Sequence, residues 1–188
     1  MAITINGSGT IGGVSVGGLP DGIVDTDMLA SAAVTSAKVG SLADSNMPAG
    51  SVVQVQHYVA NAPSISTTSV TPVATGYYVD ITPTSASNYI LVTMLFNVKV
   101  ARSGANQGSI WAIWRNGTTN LHGQNGGQLF YDTASASTYH RPCVLYGYDA
   151  PATTSSVRYE LYYYAFSSAT VSLENWGKLH FTAMEIQA

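Results

Sequence analysis

The sequence predicts an all-β protein. A β-sandwich head of jelly-roll-like type is expected over residues 51–188, preceded by an extended Gly/Ser-rich arm over residues 1–50 with at most one short helix. Three observations carry this. All 3 Trp, 12 Tyr and 4 Phe lie beyond residue 50, so only the second segment holds the bulk for a core. From Ser51 onward apolar residues recur with a period of two in short runs, the spacing of strands half buried in a sheet. Those runs are separated by Pro, Gly, Asn and Ser clusters with no helical stretch between them, which selects a sandwich over an alternating α/β fold.

The arm is thin. Ile3, Ile5, Ile11, Val14, Val16 and Leu19 alternate with Gly, Ser and Thr, enough for short extended pieces but not for a core. Pro20-Asp21-Gly22 marks a turn. The helical candidate follows, with Asp25 or Thr26 as cap, Asp27 in the first turn and a narrow stripe of Val24, Met28, Leu29, Ala32 and Ala33. So short a helix is marginal in water and needs something to dock on. Ser41–Gly50 reads as a linker.

In the head, Val53, Val55 and Val59 alternate with Gln54, Gln56 and Tyr58. Further strands are expected at Ser69–Val73, Tyr77–Thr82, Tyr89–Ala101, Gly108–Arg115, Gln128–Asp132, Arg141–Tyr148, Ser156–Phe166, Thr170–Leu173 and Lys178–Gln187. Asn116-Gly117 is a hairpin signal, because a type I′ turn needs positive φ at both central residues. Tyr89–Val100 is apolar on one face throughout, while its other face begins Tyr89 and Leu91 and ends polar at Asn97 and Lys99. A strand apolar on both sides is central in its sheet or covered by another subunit. Ser156–Phe166 behaves alike, with Tyr159, Leu161 and Tyr163 opposite Tyr162, Tyr164 and Phe166.

Composition narrows the function classes. Charged residues are 9% of the chain, against about 25% in typical soluble proteins. The net charge of −3 resides in the arm, where Asp21, Asp25, Asp27 and Asp44 outnumber Lys38. No basic stripe is present to bind a phosphate backbone, so a nucleic-acid partner is not expected. No apolar run reaches the roughly 18 residues of a membrane span, and the N-terminus lacks the basic start and apolar run of a secretory signal. The single Cys143, in a strand-like run, reads as a small core residue.

Catalytic chemistry is not evident either. Asp25-Thr26-Asp27 fits helix capping better than acid–base work. His57, His122, His140 and His180 fall in separate segments without metal-ligand spacing, and the glycines form no phosphate- or dinucleotide-binding fingerprint. No enzyme activity, cofactor or metal is therefore expected. The Asn116-Gly117-Thr118 sequon reads as a turn rather than a glycosylation site. What remains is aromatic. Trp111 and Arg115 share one strand face, Tyr162 and Tyr164 another, and Trp176 lies in a loop. Flat side chains with a polar rim can stack on sugars, which makes these five the glycan-binding candidates. Trp114 is expected to face the core if Ile110 and Ala112 share its side.

Several segments resemble a known group. Leu19-Pro20-Asp21-Gly22-Ile23-Val24, Ala33-Val34-Thr35-Ser36-Ala37-Lys38 and Pro48-Ala49-Gly50-Ser51-Val52-Val53-Gln54-Val55 are similar to N-terminal segments of tailed-bacteriophage fibre and virion structural proteins. Ile81-Thr82-Pro83-Thr84-Ser85-Ala86-Ser87-Asn88-Tyr89-Ile90-Leu91-Val92 and the closing Phe181-Thr182-Ala183-Met184-Glu185-Ile186 resemble units of the same proteins. Tyr89–Asn97 followed by Gly108-Ser109-Ile110-Trp111-Ala112-Ile113-Trp114-Arg115-Asn116-Gly117 resembles the hairpin of trimeric jelly-roll heads of the complement and tumour-necrosis-factor type.

The resemblance implies a non-enzymatic virion protein on the surface of a phage particle. It would be a homotrimer whose arm, through Ile3, Ile5, Ile11, Val24, Met28 and Leu29, docks on another virion protein while the head meets a host surface glycan. No internal repeat of the kind that builds a long fibre shaft is found. A capsid decoration or cement protein is the alternative, and a secreted carbohydrate-binding module a second one.

Overall fold

The computed structural model describes residues 4–5, 11–12, 46–123 and 126–188. By its contacts the chain divides into two units, Met1–Leu42 and Ala43–Ala188. In the first, strands β1 (Thr4–Ile5) and β2 (Ile11–Gly12) pair antiparallel, with Ile5 opposite Ile11. The proposed helix, and with it Ile3, Val24, Met28 and Leu29, lies outside the described residues.

The second unit is a sandwich of two antiparallel sheets. Its strands are β3 (Val52–Asn61), β4 (Ile65–Thr67), β5 (Val73–Ile81), β6 (Tyr89–Arg102), β7 (Gln107–Arg115), β8 (Thr119–Asn120), β9 (Gln128–Asp132), β10 (Ser137–Asp149), β11 (Val157–Phe166), β12 (Thr170–Leu173) and β13 (Lys178–Ile186). The first sheet runs β3-β13-β6-β10, with β12 and β4 continuing it alongside the far half of β6. The second runs β5-β11-β7, and β9 and β8 share the outer side of β7. Numbering the eight long strands in chain order gives 1-8-3-6 facing 2-7-4-5, the arrangement that two interlocked Greek keys produce and that defines a jelly roll.

The core is where the two inner faces meet. Ile90, Val92, Met94, Phe96, Val98 and Val100 of β6, all essentially without solvent contact, pack toward Trp111, Ile113, Tyr159, Leu161 and Tyr163 of the second sheet. Trp111 lies 5.0 Å from Phe96 and 5.3 Å from Tyr163, ring centroid to centroid. Both strands expected to be apolar on two faces are central, β6 between β10 and β13, and β11 between β5 and β7. Cys143 is buried among them, and burial pushes its thiol up to about 12.

Buried ionic groups hold the ends of the sandwich. Arg115 donates to both carboxylate oxygens of Asp149 at 2.9 and 3.0 Å, and the Tyr159 hydroxyl donates to the same carboxylate at 2.7 Å. Arg102 ties the β9–β10 loop through the Asp132 carboxylate at 3.0 Å and the carbonyls of Asp132 and Ala134. Glu185 fastens the β5–β6 connection, accepting from the Thr84 N–H at 2.8 Å and Asn88 Nδ2 at 2.7 Å.

One expected strand is corrected. Residues 69–72 are not in a strand, and the next strand opens at Val73, ahead of the expected Tyr77. Pro72 removes a ladder donor, and the Ser69 hydroxyl donates to the Thr71 carbonyl at 2.8 Å while accepting the Thr71 N–H at 3.1 Å, a local turn that competes with the sheet. The strand ahead of it is Ile65–Thr67 instead. The hairpin after β7 forms where expected, with Asn116 at φ 49° and Gly117 at φ 67°.

Candidate functional site

The structure separates the five aromatic and cationic candidates. Trp111 has 0% exposure and cannot meet an external ligand. The reading that put it outward and Trp114 inward is inverted: the core face of β7 is Ser109, Trp111, Ile113 and Arg115, and the outer face carries Ile110, Ala112 and Trp114. The polar members of the inner face are why. Ser109 accepts the Trp111 indole N–H at 3.0 Å, and Arg115 is bound to Asp149, so neither needs water. Arg115 is thus fixed in the sandwich rather than offered to a glycan.

Tyr162 and Tyr164 lie on the outer face of the second sheet. Tyr162 stacks on Trp114 at 4.9 Å, and Tyr164 is almost fully buried beside Ile110. Rows of β9, β7 and β11 place Leu129 next to Ile110 and Tyr164, and Tyr131 meets Phe166 edge-on at 5.3 Å. Beside Trp114 this aromatic surface opens into a cavity of about 390 Å³ lined by Trp114, Thr118, Thr119, Asn120 and Gly123.

Trp176 is different. It is 62% exposed in the β12–β13 loop, with one face stacked on His140 at 4.5 Å and 11°. The chain places it there by strand register. Leu173 of β12 pairs with Val98, so Glu174 follows over Asn97, where its N–H donates to the Asn97 carbonyl at 3.2 Å. Asn97 Nδ2 donates to the Trp176 carbonyl, and the Gly177 carbonyl accepts the Ala62 N–H at 3.2 Å. Gly177 turns the chain at φ 103°, a conformation that side chains rarely adopt. His140 comes from β10, directly across from Lys99 of β6. The platform is therefore held by three strands and needs little ordering on binding.

Beneath the indole is a cleft of about 170 Å³ lined by Asn97, Val98, His140, Arg141, Pro142, Glu174 and Trp176. The Glu174 carboxylate belongs to a residue only 7% exposed and lies 3.8 Å from both Lys99 Nζ and His140 Nδ1, beyond hydrogen-bond range of either. An indole face, a carboxylate able to accept further hydrogen bonds and the Asn97 side chain meet at this cleft. Of the five candidates read from the sequence, Trp176 alone lines this cleft, and His140, Glu174 and Asn97, which meet it there, were not among them. The signal was present in the outer face of Tyr89–Val100, whose polar end at Asn97 and Lys99 is the floor beside this cleft.

Among the described residues no three His, Cys, Asp or Glu side chains converge as metal ligands, and no helix is long and apolar enough to cross a membrane. No protein-family model matches the chain and no curated protein matches it. Among solved structures, the chain is similar to the VP2 protein of infectious bursal disease virus at 13% identity and a TM-score of 0.29, over 73% of this chain and 37% of that one. It is similar to a family 16 carbohydrate-binding module at 11% identity and a TM-score of 0.24, over 61% of this chain and 74% of that one. The chain thus spans well under half the length of the capsid protein, and TM-scores of this size fix neither ancestry nor function.

Proposed function

We propose that this chain is a non-enzymatic virion protein, a homotrimeric short fibre of a phage particle anchored by its N-terminal arm and displaying the jelly-roll head for host attachment. The observation that carries the reading is the outer face of the first sheet. Its rows are Val144–Leu95–His180–Val59, Tyr146–Thr93–Thr182–His57 and Tyr148–Leu91–Met184–Val55, with no Asp, Glu, Lys or Arg among them. Tyr146 is 71% and Tyr148 59% exposed. Strand and row spacings give this uncharged block an area of about 400 Å², with eight apolar or aromatic residues set around Thr93, Thr182, His57 and His180. A face without charge has nothing to repel a copy of itself, and two further copies are the occupants that fit the sequence resemblance.

Light scattering on the full chain checks this. A trimer mass is expected for the wild type, and a monomer mass with an unchanged circular dichroism spectrum for the Leu95→Lys, Tyr146→Glu double variant. A monomeric wild type would overturn the trimer. Copy number in purified particles, by quantitative mass spectrometry against the major capsid protein, tests the mounting. A few dozen copies or fewer are expected of a fibre, and absence from particles would overturn the virion reading. Hundreds of copies would favour a capsid decoration instead, a reading supported by the second apolar face around Trp114, Tyr162 and Leu129, since a protein locking capsomers needs surfaces on both sides.

A further inference from the structure

The uncharged face of the first sheet holds two groups that gain charge just below neutral pH. Its three rows contain His57 on β3 and His180 on β13, and every other member is apolar, a threonine or a tyrosine. Val59 pairs with His180 and His57 with Thr182, so the two histidines lie on one diagonal of adjacent strands. Their ring centroids are 5.7 Å apart. His57 Nδ1 and the Thr182 hydroxyl share a hydrogen bond of 2.7 Å, which a neutral ring can make without a carboxylate partner.

The surrounding groups do little to hold a proton on either ring. Strand alternation puts Lys178 on the same face as His180, two residues away, and a second cation there opposes protonation. β6 offers Thr93 and Leu95, and β10 offers Val144 and Tyr146. Past the free edge of β3, His57 shares a cleft with Tyr58, Tyr78 and Asp80, but Arg158 engages both oxygens of Asp80 at 2.9 and 3.1 Å. Lys99, Glu174 and His140 belong to the Trp176 end of the sheet, past the Asn97–Pro142 pair. Two imidazolium ions this close repel each other, and a copy seated on the face would strip water from both. Both costs fall on the charged form alone.

We propose that the trimer is proton-sensitive: His57 and His180 are neutral within it, and charging the pair releases the protomers. This rests on the reading of the uncharged face as the trimer interface. The sign follows from linkage. Assembly is fully present above the ordinary imidazole value of about 6.5 and weakens as pH falls through it. Each ring that the trimer holds neutral weakens assembly about tenfold between pH 7.5 and pH 5.5.

Sedimentation equilibrium of the full chain, in dilution series at both pH values and constant salt, tests this. The expected result is a trimer at pH 7.5 whose dissociation constant rises about tenfold or more at pH 5.5, with an unchanged circular dichroism spectrum. The His57→Gln, His180→Gln double variant should have the same dissociation constant at both pH values, and each single variant a smaller shift than the wild type. His140 and every carboxylate remain in these variants. A double variant as pH-dependent as the wild type would therefore overturn the proposal by assigning the effect to them. A wild-type trimer equally tight at both pH values would overturn this proposal alone. A monomeric wild type at pH 7.5 would overturn it together with the trimer.

Discussion

Glu185 has no solvent exposure, yet five hydrogen bonds converge on its carboxylate, from Gln54 Nε2, Thr84 N–H and hydroxyl, Ser85 N–H and Asn88 Nδ2. Burial pushes this carboxyl up, and the bonds from Gln54, Asn88 and Thr84 push it down by more, so it titrates below its ordinary value of 4.5. A group depressed in the folded state lends stability above its unfolded pKa of about 4.3, and loses it as pH falls through the folded value. The urea midpoint should hold from pH 7 to about 5 and drop below that. Glu185→Gln should flatten this acid limb and cost about 2–4 kcal/mol at neutral pH, because an amide N–H₂ would face donors. An unchanged acid limb in that variant would show that other carboxylates carry it. Nothing in the sequence marks Glu185 as buried, since the strand pattern reads it as an ordinary polar position near the end of β13. Arg115 is the same lesson in reverse: as a strand-end arginine beside a Trp it reads as a ligand, and only the fold brings Asp149 and Tyr159 to it. Arg115→Ala should destabilise by about 3–5 kcal/mol, read from the urea midpoint, since it strands the buried Asp149 carboxylate.

At the scale of the element, period was legible and phase was not. Alternation places β3, β6, β7, β11 and β13 near their observed bounds, because a half-buried strand leaves a period of two in sequence. Which face goes inward is decided by apolarity only when one face is polar. On β7 both faces are apolar, and the face holding Ser109 and Arg115 is the buried one because the fold supplies partners for each. On β3 the valines Val55 and Val59 point out, while Tyr58 packs against Phe181 at 6.1 Å and Gln54 bonds Glu185 at 2.6 Å. The two short strands β4 and β8, of 3 and 2 residues, carry too few side chains to show any period. The corrected phase of β7 is testable by denaturant unfolding. Trp111→Ala should cost about 3–5 kcal/mol by opening a core cavity. Trp114→Ala should cost less than half of that, losing chiefly the stack on Tyr162. Equal costs would mean that the outer face is covered within the single chain.

For the whole molecule, the abrupt change in aromatic bulk near residue 50 that divides the chain is visible in sequence, whereas the Trp176 cleft is not, because its walls come from β6, β10 and the β12–β13 loop. The division also sets up a test that separates anchoring from assembly. Every residue of the sandwich core and every row of the uncharged face lies within residues 52–186. Deleting residues 1–40 should therefore leave a head that unfolds cooperatively near the wild-type midpoint and keeps its trimer mass. If the arm is the part that docks, through strand addition to a neighbouring virion protein, the truncated head should no longer join particles assembled in its presence. Incorporation at wild-type copy number would move the anchor into the head and sink the docking role of the arm. Loss of the trimer mass on deletion would instead assign assembly to the arm, leaving the uncharged face for a different partner.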